Sequence, residues 1–275
     1  MSIVERTYKK VLVSINNGAV PPWLQKTAWK WWYQILARRW RDGAWTFMNY
    51  GWLPPEGAPP IPLSPADEAD RCFIGQYHRL AVDLPIQGGR VLEVGSGRGG
   101  GSSYIARTFG PTEMVGLDFS GAAVALSRKL HAGVPHLRFV EGDAEALPFP
   151  DTSFDAVVNV ESSHCYGNMP KFVAEVARVL RPGGRFGWSD LRGPGMMPAT
   201  DSAFAASGLR LVSETDITAD VVRALDAAND RKMAAIATQP VGQALLRQFS
   251  ATKGTTLYGA LKNGHVRYLS RVYEK

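Results

Sequence analysis

The stretch RVLEVGSGRGGG, residues 90–101, decides the fold. Its first five residues are mostly apolar, which is typical of a buried strand, and a helix is predicted after the glycines. Glycine allows a tight turn and lets a ligand approach the backbone closely. Gly95, Gly97 and Gly100 match the pattern G-x-G-x-x-G, and Asp118 follows at about the 20-residue spacing typical of dinucleotide sites. The sequence therefore predicts a strand–turn–helix unit that binds a nucleotide-like cofactor.

Three features favour S-adenosylmethionine over a nicotinamide dinucleotide as that cofactor. Glu93, two residues before the first glycine, would oppose a pyrophosphate and suits a ligand that carries an amine and a sulfonium. Asp143, at the end of the predicted third strand, can accept a hydrogen bond from the adenine amine. The motif also begins near residue 91, behind a long arm, whereas dinucleotide folds often begin with it. A nucleotide-dependent dehydrogenase stays the weaker alternative.

Strands and helices alternate from residue 66 onward, which predicts an α/β fold with a doubly wound, Rossmann-like sheet of seven strands. The predicted strands are Arg90–Val94, Met114–Leu117, Leu137–Val140, Phe154–Val160, Arg185–Leu191, Leu209–Ser213 and Val266–Tyr273, the last of them antiparallel. The predicted helices cover residues 66–84, 100–109, 120–131 and 169–180. A helical insertion is predicted at about 218–250.

The first 65 residues are predicted to form a separate helical arm, or cap, in front of a core at 66–275. Residues 1–52 hold eight Lys or Arg, two acidic residues and seven of the eight tryptophans, so the net charge of +6 belongs to this arm. The arm carries one aromatic helical face, formed by Trp29, Trp32, Tyr33, Leu36 and Trp40. Residues 53–65 carry six prolines and are predicted to be an extended connector. Two interpretations of the aromatic face stay open: ordinary packing on the sheet domain, or a roof over an acyl tunnel and a peripheral membrane contact.

Composition excludes several classes of protein. With 45% apolar and 20% charged residues, the chain of 275 residues is typical of a globular protein. No run reaches the roughly 18 apolar residues of a membrane span, and the N-terminus has no secretory signal. Two cysteines, Cys72 and Cys165, exclude a disulfide framework and favour the cytoplasm. No metal site and no nucleic-acid partner are expected, and the sequence leaves the oligomeric state open.

Four motifs in order resemble those of class I S-adenosylmethionine-dependent methyltransferases. They are E-x-G-x-G-x-G at 93–99, GLD at 116–118, the segment 142–155 and LRPGG at 180–184. A closer resemblance, over roughly residues 70–275, is to mycobacterial lipid methyltransferases of the phthiotriol and phenolphthiotriol dimycocerosates type and to fatty-acid O-methyltransferases. Residues 77–79, residues 159–166 and Tyr268 carry it.

The resemblance implies a set of cofactor-binding residues, namely Glu93, Gly95, Ser96, Gly97, Gly99, Asp118, Phe119, Asp143, Ala144 and Asn159. Within it, the glycines approach the methionine end and Asp118 holds the ribose hydroxyls. Phe119 covers the adenine, and Asp143 and Ala144 contact its edge. Structural alternatives stay open: Glu93 as a cap on the glycine loop, and Asp118 as a helix N-cap.

His164 is the first candidate for a catalytic residue because it follows the fourth strand, where ligands bind in doubly wound folds. It could act as general base toward a lipid hydroxyl. With Tyr77, His78 or Gln76 it could instead orient a fatty acid carboxylate, which needs no base because it is already ionised. A loop histidine with only a structural role is the alternative. Cys165 is predicted to pack as an apolar side chain.

The resulting expectation is a methyl transfer from S-adenosylmethionine to an oxygen of a long-chain lipid. A fatty acid carboxylate is the favoured acceptor because several hydrogen-bond donors are expected around its head group. A hydroxyl on a complex lipid of the phthiotriol type is the alternative. A module that binds cofactor and lipid without turnover is the alternative from another class.

Overall fold

The computed structural model describes residues 45–239 and 242–275. The predicted aromatic helix face of the arm lies outside these residues. The division into an arm at 1–65 and a core at 66–275 therefore stays a prediction. Within the proline connector, residues 53–65 contain turns but neither helix nor strand, as the prolines require.

A seven-stranded sheet in the order β3-β2-β1-β4-β5-β7-β6 forms the centre of the fold. The strands are β1 (Arg90–Val94), β2 (Glu113–Asp118), β3 (Leu137–Glu141), β4 (Phe154–Val160), β5 (Leu180–Arg192), β6 (Arg210–Asp216) and β7 (Arg267–Glu274). Strands β1 to β5 pair in parallel, and β7 is antiparallel to both β5 and β6. The predicted fold class and the antiparallel last strand are confirmed.

Helices cover the sheet and extend beyond its carboxyl edge. They are α1 (Arg71–Ala81), α2 (Gly100–Phe109), α3 (Gly121–Leu130), α4 (Met169–Val179), α5 (Met197–Ala205), α6 (Thr218–Ala237), α7 (Gln243–Phe249) and α8 (Thr256–Lys262). Short 3₁₀ turns lie at Glu68–Asp70 and Ser163–Cys165. The predicted insertion at 218–250 corresponds to α6 and α7. Helices α5 and α8 were not predicted, because each is short and α5 has little amphipathic pattern.

Two apolar layers bury the two faces of the sheet. On one face, Phe172 and Val176 of α4 pack with Trp188 of β5. On the other face, Ile74 of α1 and Ile105 of α2 belong to the second layer. Because both faces are covered, every residue of β1 after Arg90 is buried. Each fully buried aliphatic side chain contributes about 1.5–3 kcal/mol.

A third apolar cluster builds a cap at the carboxyl edge of the sheet. It joins α6 and α8, through residues such as Val221 and Leu257, to Tyr50 in the segment before the proline connector and to Tyr268 of β7. This cluster therefore fixes residues 45–52 against the strand ends where a ligand would bind. In the part of the chain described, no helix combines the length and the apolar character that crossing a bilayer requires.

Two glycine-to-alanine changes in helices should have opposite effects on stability. A Cβ at Gly101 in α2 would overlap the Tyr77 ring, whereas a Cβ at Gly259 in α8 would have nothing within 4 Å. We expect Gly101→Ala to destabilise the fold by about 1–3 kcal/mol through overpacking. Gly259→Ala should stabilise it by about 0.4–1 kcal/mol, because alanine restricts the unfolded chain. Thermal unfolding of both variants measures this, and a Gly101→Ala variant as stable as the parent would contradict the packing described.

Candidate active site

A pocket of about 110 Å³ opens at the carboxyl ends of β1 to β4. The segment before the proline connector, through Thr46, Met48 and Asn49, forms its other wall. The predicted cofactor residues that line this pocket are Gly95, Ser96, Gly97, Asp118, Phe119, Asp143 and Ala144. The structure thus brings together predicted residues from three strand ends, and Val160 and Glu161 at the end of β4 complete the lining.

Backbone conformation explains the glycines of the first turn. Gly95, Gly97 and Gly99 have φ angles of +79°, +53° and +81°, which residues other than glycine rarely adopt. A Cβ on Gly97 would meet only the Met48 sulfur, at 3.6 Å, so that position borders open space. A Cβ on Gly95 would instead collide with Ser162. The turn is therefore shaped both for its own geometry and for close approach of a ligand.

Asp118, the last residue of β2, stabilises the glycine turn that follows β1. Its carboxylate accepts hydrogen bonds from the backbone N–H of Gly97, at 2.8 Å, and of Ser120, at 2.9 Å. Burial raises the pKa of Asp118 to about 6. The helix N-cap is Ser120, whose hydroxyl accepts from Ala123, so the alternative of a plain N-cap at Asp118 is not needed.

Three predicted cofactor residues support the pocket from behind. Glu93 is fully buried; it accepts a hydrogen bond from Ser102 and interacts with the Tyr77 hydroxyl. Burial raises its pKa to about 7. Asn159 donates to the Val94 carbonyl at 2.8 Å, and Gly99 packs against a ring of β3.

The pocket residues fit S-adenosylmethionine. The buried Ser96 hydroxyl has no hydrogen-bond partner among residues 45–239 and 242–275, so it is available to a ligand. The lining also carries four carboxyl groups, on Asp118, Asp143, Glu145 and Glu161, which suit a ligand with hydroxyls, an amine and a sulfonium.

His164 lies beside the pocket and is paired with Asp190, a residue that the sequence analysis did not select. Its ring Nδ1 lies 2.8 Å from Asp190 Oδ1, and its backbone N–H donates to Oδ2 at 2.9 Å. Ser163 and Arg192 also bind this carboxylate, at 2.6 and 3.1 Å. Burial alone would lower the pKa of His164, but Cys165 and the Asp190 carboxylate raise it well above its usual range.

The same contacts hold Asp190 ionised. Burial alone would raise the pKa of Asp190, yet the charges of His164 and Arg192 lower it below its usual range. Asp190 therefore holds the His164 ring in a fixed orientation through Nδ1. The role of His164 as general base stays a prediction.

Glu161 is the titratable group that sequence reasoning missed. It lines the pocket at the end of β4, and its Oε2 accepts from the Tyr50 backbone N–H at 2.7 Å and from the Tyr268 hydroxyl at 2.8 Å. Burial raises the pKa of Glu161 to about 8. Its φ of +48° turns the chain sharply after the strand. The only signal in the sequence was its place directly after a predicted strand, three residues before His164.

The three predicted partners of His164 point in different directions. Tyr77 lines the pocket. Gln76 is buried beneath it and binds the Gly51 carbonyl and the Ser189 hydroxyl. His78 faces away, with Nδ1 2.7 Å from the Tyr104 hydroxyl. Consecutive residues on a helix point about 100° apart, so α1 brings only one of the three into the pocket. The expected convergence of Gln76 and His78 with His164 on one head group is not found.

Comparison with known proteins shows the family of this chain. A profile of the methyltransferase-domain family matches residues 92–187. The phthiotriol/phenolphthiotriol dimycocerosates methyltransferase of Mycobacterium tuberculosis is 40% identical over 255 residues, covering 91% of this chain and 93% of that protein. The fatty-acid O-methyltransferase of Mycolicibacterium smegmatis is 46% identical over 196 residues, covering 70% of each chain. The chain belongs to this methyltransferase family.

Solved structures confirm the fold of the family. A geranyl diphosphate methyltransferase matches with a TM-score of 0.64 at 20% identity, covering 88% of this chain and 98% of that one. The cyclopropane synthase MmaA2 from Mycobacterium tuberculosis matches with a TM-score of 0.65 at 16% identity, covering 84% and 92%. Family membership confirms the predictions of an O-methyltransferase and of S-adenosylmethionine as its cofactor. It argues against both a dehydrogenase and a module without turnover.

Removing one charge from the pocket should weaken cofactor binding. Charge-assisted hydrogen bonds contribute roughly 1.5–3 kcal/mol each, so we expect Asp118→Asn to bind S-adenosylhomocysteine at least about tenfold more weakly. Calorimetric titration measures this. Glu141→Gln is the matched control: Glu141 pairs with Asp118 in the register of β2 and β3 but does not line the pocket. Equal affinities of the two variants would contradict the placement of Asp118 at the cofactor.

Asp190→Asn should lower the pKa of His164, because the neutral amide no longer stabilises the imidazolium. Nuclear magnetic resonance of the imidazole signals at varied pH measures this shift. In the parent, the raised pKa of His164 contributes to stability, and this contribution is complete below the pKa of the unfolded state, about 6.5. It is lost as pH rises through the pKa of the folded state. The control is Asp201→Asn, whose carboxylate pairs with Arg271. An unchanged His164 titration in Asp190→Asn would refute the ion pair.

Proposed function

We propose that this methyltransferase transfers a methyl group from S-adenosylmethionine to a hydroxyl oxygen of a long-chain lipid. The observation that carries the proposal is the Glu161 carboxyl group in the pocket wall, with a pKa of about 8. This acceptor was the alternative in the sequence analysis, and it replaces the fatty acid carboxylate as the first choice.

The chemistry of the acceptor distinguishes the two choices. A hydroxyl must lose its proton as its oxygen bonds to carbon, so its methylation needs a base. Glu161, when ionised, can take that proton, and a pKa near the working pH suits a general base. A carboxylate acceptor has no proton to lose and would be repelled by an ionised Glu161. The raised pKa of His164 means that its imidazole holds a proton to a higher pH than an ordinary histidine, so we assign the proton transfer to Glu161.

The remaining site residues would position these groups. When bound, S-adenosylmethionine supplies the reactive methyl on a sulfonium. Tyr268 and the Tyr50 backbone orient the Glu161 carboxylate through the hydrogen bonds described above. The His164 imidazolium favours the ionised form of Glu161 by its charge. In this proposal Asp118 binds the ribose hydroxyls, Asp143 and Ala144 bind the adenine edge, and Phe119 covers the ring.

The comparisons support a lipid acceptor. The relative named for phthiotriol and phenolphthiotriol dimycocerosates covers 91% of this chain. The fatty-acid O-methyltransferase covers 70% at a somewhat higher identity of 46%, which keeps a fatty acid carboxylate as the second candidate. A cytoplasmic location and peripheral membrane contact through the arm stay predictions.

Glu161→Gln tests the proposal directly. Loss of general-base help lowers turnover by about 10²–10⁴-fold, so a hydroxylated long-chain lipid should be methylated that much more slowly. For the parent, kcat/KM should rise with pH until about 8, because only the ionised form of Glu161 accepts the proton. The variant should lack this rising limb while still binding S-adenosylhomocysteine. Product formation is followed by mass spectrometry as a gain of one methyl group.

The matched control is Glu175→Gln, the same charge change at a carboxylate that binds Arg178 outside the pocket. A fatty acid serves as the second substrate. If Glu161→Gln leaves hydroxyl methylation intact, or if only the fatty acid is methylated, the hydroxyl proposal fails and the carboxylate becomes the first candidate.

A further inference from the structure

A second cavity, of about 250 Å³, adjoins the pocket on the far side of the segment before the proline connector. Thr46, Met48 and Asn49 line both cavities, so one short segment is the common wall. Most of the remaining lining is apolar or aromatic and includes Phe73, Ile236, Leu246 and Phe249. The apolar character suits a hydrocarbon chain that leaves the pocket past this wall.

Lys232 of α6 places a cation in this apolar cavity. Its Nζ donates to the Ser250 carbonyl at 3.2 Å and lies 5.6 Å from the Tyr50 ring centroid and 5.5 Å from that of Phe73. No carboxylate of the described chain lies within ion-pair distance of it, whereas the adjacent Arg231 pairs with Asp70 at 2.8 Å. An ammonium group carries three N–H donors, and the described residues accept only one of them.

A ligand that fills this cavity displaces water from the half-buried Lys232 ammonium, so it must supply an oxygen to the donors that it covers. The charge of Glu161 interacts with Lys232, and the backbone of Tyr50 binds Glu161 while its ring faces the ammonium. A negatively charged ligand group here would disfavour the ionised form of Glu161, which the proposed reaction requires. A neutral carbonyl oxygen satisfies the donors without this conflict.

We propose that the second cavity binds the acyl chain of the acceptor lipid and that Lys232 donates a hydrogen bond to a second, neutral oxygen of that lipid, of the ester carbonyl type. This inference deepens the proposed function and rests on it in taking the acceptor to be a lipid. It makes Lys232 a specificity-determining residue, which separates lipids with a carbonyl near the acceptor oxygen from simple long-chain alcohols.

The test measures binding without turnover. The probes are a saturated fatty acid methyl ester and the alkane of equal chain length, in detergent micelles, titrated into the full chain with S-adenosylhomocysteine bound. Tryptophan fluorescence reports binding, since Trp45 lines the cavity. Charge-assisted hydrogen bonds and the affinity scale predict that the parent binds the ester about 10- to 100-fold more tightly than the alkane.

Lys232→Met should remove this preference, so that the two probes bind alike. The variant should fold, because it removes a charge from an apolar site. If it does not, Lys232→Gln, which keeps a neutral donor, should show a preference reduced at least severalfold. Lys253→Met is the matched control, since Lys253 lies outside the cavity and pairs with Asp226. It should keep the preference of the parent.

An ester preference that survives in folded Lys232→Met overturns the inference, as does a parent that binds both probes equally. The ester has no hydroxyl to methylate, so this result is independent of the Glu161→Gln assay. A failed Glu161→Gln prediction with an ester preference lost in Lys232→Met would remove the hydroxyl proposal and leave the role of Lys232 standing.

Discussion

The hydrogen bonds to the Glu161 carboxylate are the interaction on which the arrangement of the site depends. This one group joins three parts of the chain that are far apart in sequence: the end of β4, the backbone of Tyr50 and the hydroxyl of Tyr268 on β7. A buried ionisable group is stabilised only when its hydrogen-bond partners are held in place. The cap and the sheet must therefore pack in the one arrangement that brings both donors to Glu161. The apolar contacts of Tyr50 and Tyr268 within the cap cluster provide that rigidity.

The site contains two carboxyl groups with opposite behaviour, and their surroundings explain the difference. Asp190 faces His164, Arg192 and the Ser163 hydroxyl, and these partners keep it ionised despite complete burial. Glu161 has neutral donors and a more distant cation, so burial dominates and its proton is held to a higher pH. One carboxylate therefore fixes a charge in place, while the other can exchange a proton near neutrality.

Sequence patterns predicted the sheet, and most of the residues that they selected for the cofactor line one pocket, because those features are local. An apolar strand, glycines that require positive φ and an acid at the next strand end all leave a direct trace in the sequence. The acceptor side is different. Glu161 and Asp190 lie 29 positions apart, and their relationship depends on the pairing of β4 with β5, which no local pattern reports. The directions of Gln76 and His78 are also not a local feature, since they follow from how α1 packs.

The common wall between the two cavities has a consequence for how this enzyme would use its ligands. Thr46, Met48 and Asn49 belong to both linings and lie between the cofactor pocket and the apolar cavity. Any shift of this segment that improves the fit of one ligand also reshapes the site of the other. The two binding free energies are then coupled, and thermodynamic linkage requires the coupling to be the same in either direction. A lipid that orders this wall would raise the affinity for the cofactor. A lipid whose acyl chain is too short to reach the wall would not.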